Sequence, residues 1–123
     1  MIRLLADGNM SRRFVAACLR LQPDSPILHI ADWMEGKHRI SKDPVLLPVL
    51  PEDGLILVGF DRRTMAMHAG RLTREGAGHG GVILFRRGVA QMDYGKQSRL
   101  LVEFWTEAKD WDWADRIGYL PRV

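Results

Sequence analysis

The sequence predicts an α/β fold in which a mainly parallel central sheet lies between two layers of helices. Residues 55–60 form an apolar run without alternation, followed by Asp61. Such a run is typical of a strand that is buried on both faces, as in parallel sheets covered by helices. Strand patterns also alternate with helix patterns along the chain, which favours right-handed crossovers. The length of 123 residues and the 46% hydrophobic content suit a single domain, residues 1–123.

The amino-terminal part predicts a strand, a helix and a second strand. Residues 2–6 are a strand that ends at Asp7, Gly8 and Asn9. In the next helix, Asn9 or Ser11 caps the start, and apolar residues recur at helical spacing from Met10 to Leu19. Residues 27–30 predict a short strand and residues 31–40 a loop.

The segment before the central strand predicts a short helix. Ser41 or Asp43 caps it and Pro44 occupies its first turn. Pro48 is expected to kink or shorten this helix, because proline lacks the N–H donor that a helix interior needs.

Beyond Asp61 the pattern predicts a helix, a glycine-rich loop, a strand, a helix and an edge strand, at residues 62–75, 76–81, 82–85, 94–109 and 116–120. The glycine-rich loop lacks the Gly-Lys-Ser/Thr ending of a phosphate-binding loop. The chain also has no serine-centred nucleophile elbow, the strand-to-helix motif of α/β-hydrolases.

Charge and cysteine content restrict the class of protein. The net charge is +3, and 14 of the 18 basic residues are arginines, the side chain best suited to bidentate phosphate contacts. Arg62, Arg63, Arg71 and Arg74 follow the central strand, which fits a nucleic-acid patch or a solvated helix face equally well. The one cysteine, Cys18, excludes an internal disulfide and has the neighbours of a buried thiol. With no apolar stretch of spanning length, a cytoplasmic protein without membrane contact is expected.

Three aspartates stand where their side chains can meet. Asp7 and Asp61 each follow a strand, and Asp43 begins a helix between them in sequence. The carboxyl ends of parallel strands share one edge of the sheet, where α/β proteins bind their ligands. Converging carboxylates favour a cation, and hard oxygen ligands suit Mg²⁺ or Mn²⁺. Asn9 and Thr64 add an amide and a hydroxyl nearby. Each aspartate also fits the simpler role of a turn residue or helix cap.

Four blocks of the chain together resemble one family. Leu-Leu-Ala-Asp-Gly-Asn-Met at residues 4–10 resembles an opening strand ending in Asp-x-Asn, and residues 41–46 resemble an Asp-x-x-Ile-Leu helix start. Residues 57–65, with Asp-Arg-Arg-Thr-Met, resemble a strand that ends in Asp-Arg-x-Thr-Met, and residues 80–85 resemble a closing Pro-Gly-Val-Ile-Leu strand. In order and spacing, the set is similar to small stand-alone bacterial PIN-like domains, which are related to toxin-type PIN ribonucleases.

The resemblance implies a compact three-layer α/β/α PIN-like fold. It also implies an enzyme that cleaves RNA with the help of a divalent metal ion. Asp7, Asp43 and Asp61 would be the catalytic acids and the Mg²⁺ or Mn²⁺ ligands, with Asn9, Arg62, Arg63 and Thr64 beside the substrate. Many relatives carry a second acid where this chain has Arg63, so one ion is expected rather than two. The implied partners are RNA and, for the toxin component of a toxin–antitoxin pair, a small antitoxin protein.

Two other functions remain open from the residues. A non-catalytic RNA- or protein-binding module on the same scaffold is favoured by Arg63 in place of an acid. A phospho-receiver domain fits the β/α order and Asp61, but such a domain needs an acidic pair after its first strand and a lysine after its last strand. This chain has the single Asp7 after its first strand, and none of its four lysines follows an apolar strand. The tryptophan-rich tail, with Trp105, Trp111 and Trp113, offers apolar surface for a homodimer or for the core.

Overall fold

The computed structural model describes residues 2–38 and 43–122, and the side chains of Asp43 and Pro44 lie outside that description. Within these ranges the chain alternates strands and helices as the sequence predicts. The strands are β1 (Arg3–Ala6), β2 (Ile27–His29), β3 (Leu55–Gly59), β4 (Val82–Phe85) and β5 (Ile117–Leu120). The α-helices are α1 (Arg12–Leu21), α2 (Asp43–Leu46), α3 (Thr64–Arg74) and α4 (Tyr94–Ala108), and 3₁₀ turns occupy Ile30–Gly36, Leu47–Val49 and Pro51–Asp53.

The strands form one parallel sheet in the order β2-β1-β3-β4-β5. From β1 the chain first moves outward to β2, then crosses back to β3 and continues in the other direction through β4 to β5. The strand order therefore reverses between β1 and β3. This reversal is the topological switch point at which doubly wound sheets bind their ligands.

Two apolar cores cover the two faces of the sheet, which confirms the three-layer α/β/α architecture. On one face, Phe14 of α1 and Leu101 of α4 pack against Ile56 and Val58 of β3. On the other face, α2, α3 and the 3₁₀ turns pack against Leu57 and its neighbours. Every residue of β3 is buried, so the prediction of a strand covered on both faces is confirmed.

One crossover departs from the expected geometry. The β1–α1–β2 unit moves toward one edge of the sheet over the first face, and β3–α3–β4 moves toward the other edge over the second face, so the two units have the same hand. The β4–α4–β5 unit also moves toward that other edge, but α4 lies on the first face beside α1. Its hand is therefore opposite to that of the other two, and the prediction of uniformly right-handed crossovers is wrong.

Local differences from the sequence prediction have simple causes. The predicted loop at residues 31–40 contains 3₁₀ turns as far as Gly36, interrupted by a kink at Trp33, whose side chain is buried on the second face of the sheet. The helix expected from residue 62 begins at Thr64, since the carboxylate of Asp61 accepts a hydrogen bond from the Thr64 backbone N–H. Pro48 ends α2 early, as predicted, and Ser11 caps α1 through the N–H of Arg13. Ser41 lies outside the described residues.

Candidate functional site at the carboxyl edge of the sheet

Asp7 lies at the switch point, beside the end of β3. Ala6 pairs with Val58, and the N–H of Asp7 donates to the Val58 carbonyl at 3.0 Å, which extends the strand pairing by one residue. The side chain is buried, with 6% of Asp7 exposed. Its Oδ1 accepts a hydrogen bond from the backbone N–H of Asn9 at 2.9 Å, which closes the turn into α1.

Gly59 makes room for the Asp7 carboxylate. A β-carbon at Gly59 would overlap the Oδ2 atom of Asp7, so no other residue fits there without movement of the carboxylate. Sequence reasoning treated Gly59 only as part of the apolar run. A glycine inside a strand often marks the close approach of another group. The sequence therefore indicated a close contact at Gly59 but did not identify Asp7 as the residue that makes it.

Asp61 lies on the other side of the switch point, two residues beyond the end of β3. It is half-buried, and its Oδ1 accepts the Thr64 N–H at 2.7 Å, so one carboxylate oxygen caps α3. In the described part of the chain, no hydrogen bond is recorded to its other oxygen. Asp61 thus supports the start of α3 by accepting the N–H of its first residue.

Arg62 and Arg63 are adjacent in sequence but lie in different surroundings. The half-buried Arg62 reaches from the loop after β3 to the end of β4, where its Nη1 donates to the Phe85 carbonyl at 3.1 Å. Arg63 is exposed, as are Thr64 and Asn9. Of the four predicted substrate contacts, Arg62 therefore already makes a hydrogen bond within the protein, and the other three are exposed to solvent.

Two more basic side chains extend this edge beyond β4. Arg86 donates through Nε to the Pro121 carbonyl at 2.6 Å and lies 5.3 Å from the Tyr119 ring centre. Arg87 is exposed next to it. Neither was singled out from the sequence, because only the pairing of β3 with β4 places this second arginine pair beside Arg62 and Arg63.

The described residues bring two of the three predicted acids to neighbouring strand ends at this edge. Asp7 and Asp61 supply carboxylates from neighbouring strand ends, and Mg²⁺ is commonly held by one or two carboxylates together with water and substrate phosphate. Asp43 begins α2, but its side chain lies outside the described residues. Across residues 2–38 and 45–122, no group of three or more His, Cys, Asp or Glu side chains could hold a metal ion.

His29 and Cys18 have structural positions. His29 ends β2 beside Ala6, where its Nδ1 accepts the Ala31 N–H at 3.1 Å and its Nε2 lies 2.7 Å from the Met10 carbonyl. Both ring nitrogens are thereby occupied. Cys18 is fully buried, and burial raises the pKa of its thiol to about 12, so it is not a nucleophile at neutral pH.

The amino edge of the sheet carries a second polar group, in the glycine-rich loop. His79 is buried, its Nδ1 accepts the Gly81 N–H at 3.1 Å, and its backbone N–H donates to Asp115 at 3.1 Å. Asp115 also accepts the Thr73 hydroxyl at 2.9 Å. Burial lowers the pKa of His79, and the charge of Asp115 partly opposes this shift.

Comparison with known proteins assigns no identity to the chain. Neither a protein-family model, nor a curated protein, nor a solved structure matches it. Among residues 2–38 and 43–122, no helix combines the length and apolar character that crossing a membrane requires.

Proposed function

We propose that this protein is a PIN-like, Mg²⁺- or Mn²⁺-dependent ribonuclease whose site is the carboxyl edge between β1 and β3. The observation that carries the proposal is the position of Asp7: a carboxylate buried at the switch point, in a space that Gly59 leaves open. Ligand sites of doubly wound sheets lie at this position.

The chain's own residues have distinct roles in this proposal. Asp7 and Asp61 hold the cation, with Asp43 as the third acid of the set. The exposed Arg63 and Arg87 attract and orient the phosphate backbone, and Asn9 and Thr64 contact the nucleotide beside the scissile bond. Arg62 positions this surface by tying the loop after β3 to β4. When bound, the cation supplies Lewis-acid polarisation of the phosphate and activation of the attacking water.

Cleavage of a fluorescent single-stranded RNA with Mn²⁺, with Mg²⁺ and with a chelator tests the proposal. We expect metal-dependent cleavage, and we expect Asp7→Asn and Asp61→Asn to lower its rate by roughly 100-fold, the scale on which removing one preorganised electrostatic group acts. Asp112→Asn, an exposed change in the segment before β5, should leave the rate unchanged. Equal cleavage by the native protein and Asp61→Asn, or no cleavage with either cation, would contradict the proposal.

The second candidate is a non-catalytic binding module, favoured by two observations. Asp61 already uses one oxygen as a helix cap, and Arg63 is an exposed cation beside the proposed metal site. In this case calorimetry should detect no Mn²⁺ binding, whereas RNA should bind with an affinity that falls steeply with salt. Such a module would not cleave RNA. Arg63→Ala and Arg87→Ala should then weaken RNA binding.

A small protein partner, a homodimer and a cytoplasmic location belong to the same proposal. The tryptophan-rich segment that was predicted as a dimer surface packs largely against its own chain. Trp105 and Trp113 are buried, and Trp111 is half-buried under Arg116 and Arg122. Light scattering of the purified protein across a range of concentrations tests the homodimer. Co-purification with the product of a neighbouring small gene tests an antitoxin.

A further inference from the structure

A cavity of about 440 Å³ opens at the amino edge of the sheet, on the opposite side of the molecule from Asp7 and Asp61. It lies between the carboxyl-terminal halves of α1 and α4, over the first residues of β1 and β2. It exists because the opposite hand of the β4–α4–β5 unit places α4 beside α1. Its volume falls within the range of about 300–1,000 Å³ that small-molecule sites occupy.

The inner wall of the cavity is apolar. Leu4 and Ile27 of the sheet, Leu101 and Trp105 of α4, and Cys18 of α1 contribute to it. Cys18 is fully buried at the base of this wall. An apolar ligand body would bind here through the hydrophobic effect and through contact with the Trp105 ring.

The mouth of the cavity is polar and favours positive charge. Asp24 and Asp110 contribute two carboxylates to the lining, against the single ammonium of Lys109. Gln22 and Lys109 directly follow α1 and α4, so the carboxyl ends of both helices reach the mouth. Helix carboxyl ends carry partial negative charge, which attracts cations.

We propose that this cavity binds a small amphiphilic amine, with the apolar body against Val102 and Trp105 and the ammonium group at the mouth, near Asp24 and Asp110. The site is separate from the carboxyl edge and does not depend on the ribonuclease proposal. The ligand class follows from the combination of an apolar inner wall with a mouth that carries two carboxylates and one ammonium group.

Binding of three six-carbon probes of equal length tests the ligand class: hexylammonium, hexanol and hexanoate. The readout is the indole N–H signal of Trp105 in an NMR titration, and Trp33, in the core on the opposite face, is the internal reference. Hexylammonium should shift the Trp105 signal saturably and leave the Trp33 signal in place. Hexanoate should bind at least about tenfold more weakly, because two carboxylates and two helix ends oppose it.

The double variant Asp24→Asn/Asp110→Asn tests the role of the mouth. Both aspartates are exposed, so the fold should be kept. We expect the affinity for hexylammonium to fall about tenfold, since each exposed ion pair contributes a few-fold. Glu103→Gln, which removes an exposed carboxylate of α4 outside the cavity, should change nothing. Equal affinity for hexylammonium and hexanoate, the absence of a saturable Trp105 shift, or unchanged affinity in the double variant would overturn the proposal.

Discussion

The two edges of the sheet use polar residues in different ways. At the carboxyl edge, the buried Asp7 follows β1, and the loop between β3 and α3 carries the half-buried Asp61 and the exposed Arg63. At the amino edge, Asp115 accepts the His79 backbone N–H, the His79 ring accepts the Gly81 N–H, and the Trp113 indole donates to the Ala108 carbonyl. The amino-edge contacts thus connect the loops that precede β4 and β5, whereas the carboxyl edge presents an exposed cation beside a half-buried carboxylate.

The largest expected effect is on the amino edge. Trp113 is buried, its Nε1 donates to the Ala108 carbonyl at 2.9 Å, and its ring packs against Gly81 and Gly118. Trp113→Ala should lower the free energy of unfolding by about 3–5 kcal/mol, the usual cost of removing a large buried aromatic side chain. Urea denaturation measures this.

Trp113→Phe keeps an aromatic ring and loses the hydrogen bond to the Ala108 carbonyl. Its free energy of unfolding can be measured even if the alanine variant does not fold. Trp111→Ala is the matched control, because Trp111 is only half-buried and should cost less. If the changes at Trp111 and Trp113 cost the same, the amino edge is not held by the buried ring.

A smaller effect is expected at the carboxyl edge from Gly59→Ala. The added methyl group would overlap the Asp7 carboxylate, and overpacking of this kind typically costs about 1–3 kcal/mol. Gly88→Ala is the control, since a β-carbon there meets no atom within 4 Å. In an Asp7→Ala background the cost of Gly59→Ala should largely disappear, as a double-mutant cycle by urea denaturation would show. If Gly59→Ala destabilises the Asp7→Ala variant as much as the native protein, the added methyl group does not act through the Asp7 carboxylate.

The two adjacent arginines separate structural from functional roles within the carboxyl edge. Arg62→Ala removes a hydrogen bond to the Phe85 carbonyl and should lower the free energy of unfolding by about 1 kcal/mol. The side chain of Arg63 is exposed, and within residues 2–38 and 43–122 it has no such bond, so Arg63→Ala should stay within about 0.5 kcal/mol. RNA binding should show the reverse order, with the greater loss at Arg63. If both variants lose stability equally, the surroundings of the two arginines do not differ in solution.

The smallest expected effect is the pH dependence that His79 adds at the amino edge. Burial lowers the pKa of His79 below its ordinary value of 6.5, so the folded state favours the neutral ring that accepts the Gly81 N–H. Stability from this group is fully present above about pH 6.5 and is lost as the pH falls toward the lowered value in the folded protein. Asp115 opposes the loss by attracting the protonated ring.

The measurement is the urea midpoint at pH 7.5 and at pH 5.5. His79→Asn keeps an acceptor for the Gly81 N–H and cannot be protonated in this range, so it should show a smaller drop between the two pH values. An equal drop in the native protein and in His79→Asn would assign the pH dependence to other groups.

Much of the candidate site could be predicted because it depends on strand ends. Asp7 and Asp61 follow apolar runs, and parallel strands bring their carboxyl ends to one edge whichever strands are neighbours. Arg86 and Arg87 were missed because their place beside Arg62 depends on the pairing of β3 with β4. Gly59 was missed because the sequence does not reveal which side chain approaches it. Whether Asp43 completes the acidic set stays a prediction.

The sequence by itself determined the alternating elements, the buried central strand and the two carboxylates at its carboxyl edge. These follow from apolar periodicity, turn residues and caps, which act over a few neighbouring residues. Only the tertiary structure decided the strand order, the face on which α4 packs and hence the cavity beside α1. Those features depend on which apolar surfaces pack against each other between residues that are far apart in the sequence. The β4–α4–β5 unit shows this, because its hand is opposite to that of the other two crossovers and differs from the general rule.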